Sequence, residues 1–397
     1  MKKSPIVEPA LGWSYLSRAA LARAKAQMDN ESMGVRDEIG FLIIHQNYAD
    51  RFFPGTSVLH TRARYALIVP WLFEDLAGLT GAVAIRALRD RECELAGRLD
   101  GWGVIGKRVF PKPSNQPPST VYWNALAVWG ILRPRANGRT LSRAQVHRLL
   151  RPAGTAIDDD GQSLIGFDPP FLTLPERPKN WQEGTITPDL GQGEATFLRE
   201  RLSNLRRPND HELSLLSRLV KTRVPAPDSL WSDMVSEVAG SDRRPLRRAR
   251  QAASLAAIGR AVYDALLEAM VEHEDKRTVS DRHRAHLAQM VEEHRSLACT
   301  LDIDALEVDI GALPSRLRAV VVETKAWLTT GSRDPNILFK PFEAAEARKG
   351  SRARLARTPN GRARRREWSS NEHSLASPLH YRWGQVSGLL NDLAAVS

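Results

Sequence analysis

The chain has 397 residues, 42% of them hydrophobic, enough for two or three domains with true cores. Its 57 Lys and Arg against 46 Asp and Glu leave a formal charge of +11, and the bases are mostly Arg, whose planar fork suits phosphate or carboxylate, so an anionic partner is expected. Two cysteines without CxxC spacing exclude a disulfide framework and a zinc knuckle, and the opening MKKSPIVEP lacks the apolar stretch of a signal peptide. The longest apolar run, 66–73, falls well short of the ~20 residues that cross a bilayer, so a cytoplasmic protein with no membrane contact is expected.

Ser14 or Ser17 caps a helix to about Met28, with Leu16, Ala20, Leu21, Ala24 and Met28 on its apolar side, and Val35, Ile39, Leu42 and Ile43 continue the period until FPG at 53–55 stops it. The segment from Tyr65 to Phe73 is apolar on nearly every side, which predicts a buried helix kinked near Pro70. A third helix, apolar at Ile85, Leu88, Leu95 and Leu99, ends at Gly101, and PKPSNQPP at 111–118 reads as a stiff linker. Ser119 reads as the N-cap of a helix whose face is Tyr122, Ala125, Leu126 and Trp129, and Ser142 with Gln145 has capping-box spacing. Helix, basic turn, helix is how a helix-turn-helix or winged-helix module begins. Against it, Asp158, Asp159 and Asp160 stand where a recognition helix would meet phosphate, so a plain packing pair is the other reading, and these acids read as a surface loop more readily than as a cation site. From 151 to about 190 the chain is loop-like, with SLIGF and FLTL as candidate short strands of a wing or hairpin. Helices return at 194–205, at 212–220, around Trp231, from about 248 to 274, and from Asp281 to about Ala298.

The expected fold is mainly α and multi-domain: an N-terminal helical domain over 1–110, a helix-turn-helix-like module with a loop-rich insertion over 119–190, and a C-terminal helical domain over 194–397.

Four groups of residues carry chemical suggestions. Asp281, His283, His286, Glu293 and His294 share one helix, but without HExxH or a nearby cysteine, and with Arg282, Arg284 and Arg295 among them, they read as a solvated charged face; no metal and no cofactor is expected. Asp309, Glu323 and Lys325 imitate the Asp…Glu-x-Lys layout of Mg²⁺-dependent restriction-type nucleases, whereas a helix over 314–329 would put Leu317, Val320, Val321, Thr324 and Leu328 on one face and leave Glu323 and Lys325 as surface charges. The densest feature is the tract 348–366, where Arg348, Lys349, Arg352, Arg354, Arg357, Arg362, Arg364, Arg365 and Arg366 occur without an acid and Trp368 follows as a stacking residue. Arg243, Arg244, Arg247 and Arg248, with Arg250, form a second basic cluster. The expected activity is sequence-independent binding of nucleic acid, DNA first, by a non-catalytic subunit. The nuclease and a protein-binding scaffold with a basic face are the alternatives.

Three aromatic-arginine blocks span the chain: FFPGTSVLHTRARYALIVPWLFED at 52–75, STVYWNALAVWGIL at 119–132, and KGSRARL at 349–355 followed by PLHYRWGQVSGLLNDL at 378–393. In wording and order they resemble an uncharacterised bacterial family catalogued as domain of unknown function 6361. The resemblance supplies no reaction and no catalytic residues; it implies a place beside helicases and modification enzymes in phage-defence gene clusters, and so partner subunits in a defence or DNA-processing complex. The blocks also read as architecture, in which Arg62, Arg64, Trp71, Tyr122, Trp123, Trp129, Tyr381 and Trp383 lock helices together and Glu74 or Asp75 neutralises a buried arginine.

Overall fold

The structure, a computed structural model, describes residues 37–135, 137–150 and 169–396, which hold sixteen α-helices and three isolated β-bridges but no strand. Among them no helix is long and apolar enough to cross a membrane. The helix expected to end at Met28, the three aspartates at 158–160 and the segment SLIGF lie outside the described residues.

The first helices are α1 (Leu42–Phe52) and α2 (Tyr65–Asp75), and every residue of α2 from Tyr65 to Phe73 is buried, Pro70 included. Between them Gly55 turns at φ +80°, where a Cβ would lie 2.7 Å from Trp129 Nε1, so the turn and the close approach both require glycine. Helix α3 (Gly81–Arg98) buries Ala84, Leu88, Glu92, Leu95 and Ala96, while Ile85, expected on that face, is 61% exposed. Ile85 sits one position around the helix from Ala84, which takes the buried place instead. The proline segment 111–117 packs against α3 and borders a cleft with Cys93 and Ala96 rather than bridging separate bodies. Ser119 is no N-cap: it lies inside the short α4 (Pro118–Val121), its N–H donating to Glu92 Oε1 at 2.7 Å. Pro118 opens that turn, because its fixed φ suits a first helical position. The expected face of Tyr122, Ala125, Leu126 and Trp129 is buried around α5 (Trp123–Val128). Helix α6 (Arg143–Leu149) starts where foreseen, the Ser142 N–H donating to Gln145 Oε1 at 2.9 Å. Of FLTL, Phe171 alone pairs, as an isolated bridge to Leu132.

Helices α7 (Gln192–Leu202), α8 (Leu215–Thr222) and α9 (Asp233–Val238) lead into α10 (Arg243–His273), which begins five residues before the expected 248. Alanines at 249, 252, 253, 256, 257, 261 and 265 let neighbours approach α10 from all sides, and the Phe41 ring rests directly on Gly259. The turn 274–281 folds α11 (Arg282–Cys299) back along it. Helices α12 (Ile303–Ile310), α13 (Ser315–Thr330), α14 (Phe339–Glu346) and α15 (Pro359–Arg366) complete that side, and α16 (Trp383–Ala394) returns to α7 and α8. One cluster of buried apolar side chains draws on 39–99, on 121–190 and on 195–393 alike. The fold is mainly α, and the described residues supply only the helix pair α5 and α6 of the expected helix-turn-helix.

The aromatic-arginine blocks meet in this core. Arg62 binds Asp392 at 2.9 Å and Asp189 at 2.5 Å, and Arg64 binds Glu194 at 2.6 Å. Tyr381 Oη donates to the Ala249 carbonyl at 2.8 Å, and Trp129 Nε1 to that of Pro54 at 3.1 Å. Glu74 and Asp75 do not neutralise these arginines; they pair with Arg177. The partners of Arg62 and Arg64 come from more than a hundred residues away, which no spacing announces.

Candidate nucleic-acid interface

The tract 348–366 folds against acids supplied by other parts of the chain. Thr358 Oγ1 caps α15 by accepting from the Gly361 N–H at 3.1 Å, and Pro359 sets the first helical φ. Arg348 pairs with Asp37 at 3.2 Å, Lys349 and Arg354 with Glu38, Arg357 with Glu274 at 2.8 Å, Arg362 with Asp275 at 3.1 Å and Arg364 with Glu367 at 2.9 Å. Arg365 is 2% exposed; it binds Asp275 at 2.7 Å and donates to the carbonyls of Arg354 and Ala356 at 2.7 and 3.1 Å. Guanidinium bonds from Arg365 and Arg362 hold the carboxyl of Asp275 below the usual aspartate range. Trp368, expected to stack on a base, is 3% exposed and packs beside His283 and His373. Most bases of the tract are thus ion-paired within the chain, Arg348, Arg357, Arg362 and Arg364 while still 42–64% exposed, and Arg352 and Arg366 are its exposed bases without an ion pair among the described residues.

The second cluster is built the other way. Asp242, fully buried ahead of α10, accepts from Arg51 at 2.9 Å and from Arg207 at 2.7 Å, and burial raises its carboxyl even against those two cations. Arg248 grips Asp309 with both arms at 2.5 and 2.6 Å, and Tyr48 Oη donates to the same carboxylate at 3.0 Å. Arg243, Arg247 and Arg250 stand at i, i+4 and i+7, one exposed ridge with Arg244 beside it. Arg243 donates to the Ser236 carbonyl at 3.1 Å; Arg244, Arg247 and Arg250 have no acid partner among the described residues. Arg243 and Arg244 occupy the first turn of α10, where the positive end of the helix dipole disfavours each cation by about 0.3–1 kcal/mol.

The nuclease layout is not assembled. Asp309 is occupied by Arg248 and Tyr48, Glu323 is exposed on α13, and Lys325 Nζ donates to the Leu301 carbonyl at 2.7 Å. Residues 323 and 325 point about 200° apart on a helix, so they cannot share one water. Leu317, Val320, Val321, Thr324 and Leu328 form the buried face of α13, as the helical period predicts.

The histidines of α11 are not all a solvated face. His283 is buried, its Nε2 3.1 Å from the Ser370 carbonyl and its Nδ1 4.0 Å from Asp264; His286 Nε2 meets the Ala376 carbonyl at 2.8 Å. Burial lowers the pKa of His283. Among the described residues no group of three or more His, Cys, Asp or Glu is arranged to hold a metal ion.

A further set of exposed residues belongs to no motif: Trp102, Arg108 and Lys112, in the loop after α3. The signal that finds them is a missing residue type, since no acid occurs between Asp100 and Asp158.

No curated protein matches the chain, and no solved structure does. The profile of a family of unknown function, DUF6361, matches residues 10–397 and takes in all three aromatic-arginine blocks, so the chain belongs to that family.

Proposed function

We propose that this chain binds nucleic acid without sequence preference, through the arginine ridge of α10, as a non-catalytic subunit of a bacterial DNA-processing or phage-defence assembly. One observation carries the reading: Arg244, Arg247 and Arg250 are exposed without acid partners among the described residues, Arg244 in the first turn where the helix dipole repels a cation, while most of the bases in 348–366 are ion-paired within the chain. A phosphate backbone relieves that repulsion and releases its condensed counterions. Arg248, Asp309 and Tyr48 brace the ridge from behind, so its geometry exists before any partner arrives.

Titration of a random-sequence duplex at several salt concentrations tests the reading. Affinity falls steeply with salt, and the triple variant R244A/R247A/R250A flattens the log–log slope by roughly 2.7, about 0.9 for each phosphate left without its arginine. Absence of binding at low salt, or an unchanged slope in the variant, overturns it. Competition by DNA of unrelated sequence separates this partner from an acidic protein.

A further inference from the structure

From Gly101 to Ile157 the sequence holds nine bases and no acid. Its first part, 101–112, is a loop anchored around the C-terminal turn of α3. The Ile105 N–H donates to Tyr65 Oη at 2.9 Å, and Lys107 Nζ donates to the carbonyls of Gly97 and Leu99 at 3.2 and 2.9 Å. The Phe110 ring lies on Gly97 so closely that a Cβ there would sit 2.6 Å from Cζ. Arg62, itself held by Asp392, donates to the Trp102 carbonyl at 3.3 Å. These contacts hold the backbone and leave the Trp102 side chain in water at 74% exposure, whereas Trp71, Trp129, Trp181, Trp327, Trp368 and Trp383 are all buried.

The same loop carries unpaired cations. Arg108 and Lys112 are exposed without an acid partner among the described residues, and Lys112 borders the cleft beneath the loop together with Arg89. An exposed aromatic ring on one loop with unpaired cations fits a polyanion that carries flat apolar faces. In a duplex those faces are already stacked on one another, and the indole has nothing to cover.

We propose that this surface takes single-stranded nucleic acid, with an unstacked base on the Trp102 indole and phosphates on Arg108, Lys112 and Arg89. The proposal rests on the nucleic-acid reading above and adds to it a second surface and the strandedness of the ligand. The anchored loop fixes the backbone that carries the ring before binding, so less ordering entropy is lost.

The test is anisotropy of a labelled oligo(dT) of about 15 nucleotides, and of a duplex of equal length, against the native protein and Trp102→Ala. The expected result is a loss of about tenfold in single-strand affinity with duplex affinity unchanged, since stacking a base on an aromatic ring contributes on that order. Trp102→Phe retains most of the affinity, and R108A/K112A lowers the single-strand salt slope by about 1.4. Native-like single-strand affinity in Trp102→Ala, with its melting temperature unaltered, overturns the proposal and assigns the indole to a protein partner. Binding of duplex but not of oligo(dT) by the native protein overturns it while the arginine ridge stands, and binding of neither removes both.

Discussion

Arg365 shows how far one side chain can depart from its neighbours in sequence. It sits among exposed arginines, yet it is buried against Asp275 and two carbonyls. Arg365→Ala leaves Asp275 under-compensated and is expected to lower unfolding free energy by about 3–5 kcal/mol in denaturant titrations, with Arg365→Lys a poor substitute because it lacks the fork. Two other buried groups contribute to the pH dependence with opposite signs. Burial raises the Glu92 carboxyl to about 7; the folded state then holds its proton more tightly than the unfolded chain, so this group's contribution to stability declines as pH rises from about 4.5 to 7, by up to about 3 kcal/mol, and Glu92→Gln should remove that contribution. Burial lowers the His45 pKa to about 3. The unfolded chain protonates first, so this group's contribution declines below pH 6.5, by about 1.4 kcal/mol at pH 5.5; buried His60, lowered to about 4, acts in the same direction, and His45→Phe should shrink that limb in thermal melts. Neither group is visible as special in the sequence, because burial and not identity shifts them.

Helices are legible where period and length agree. The stripe of α13 and the buried run of α2 both follow from side-chain spacing alone. Ser119 and Ile85 mislead because a proline at the first helical position and a neighbouring alanine each take the expected role. Charge runs are the least legible elements: the bases of 348–366 and of 243–250 look alike in sequence, and only the acids folded against the former separate them. The outward face of α13 supplies a check on that distinction. Glu323→Ala is expected to change stability by less than about 0.5 kcal/mol and to leave duplex binding intact, whereas Asp309→Ala, which strands Arg248 and Tyr48, should cost several kcal/mol and weaken the ridge's affinity together with it. Calorimetry and duplex titration on the two variants distinguish these roles.

At the scale of the molecule, buried ion pairs tie distant parts of the chain to one another. Fragments 1–190 and 194–397 are expected to be insoluble or unfolded when expressed apart and to recover helical circular dichroism only when refolded together, since Arg64 of one needs Glu194 of the other and Arg62 needs Asp392. Independent folding of either fragment would show that the shared core is dispensable. The Arg62–Asp392 contact, closed across 330 positions, also has a temporal side. At synthesis rates of about 5–20 residues per second, Arg62 leaves the ribosome roughly 20–60 s before its carboxylate is made. For most of that interval the cation has only the exposed Asp189 as a mate, and the C-terminal helix that closes over it is still missing. The nascent chain therefore passes through a long vulnerable window in which holdase chaperones compete with aggregation, and slowing translation ahead of codon 392 should lower soluble yield without altering the finished protein.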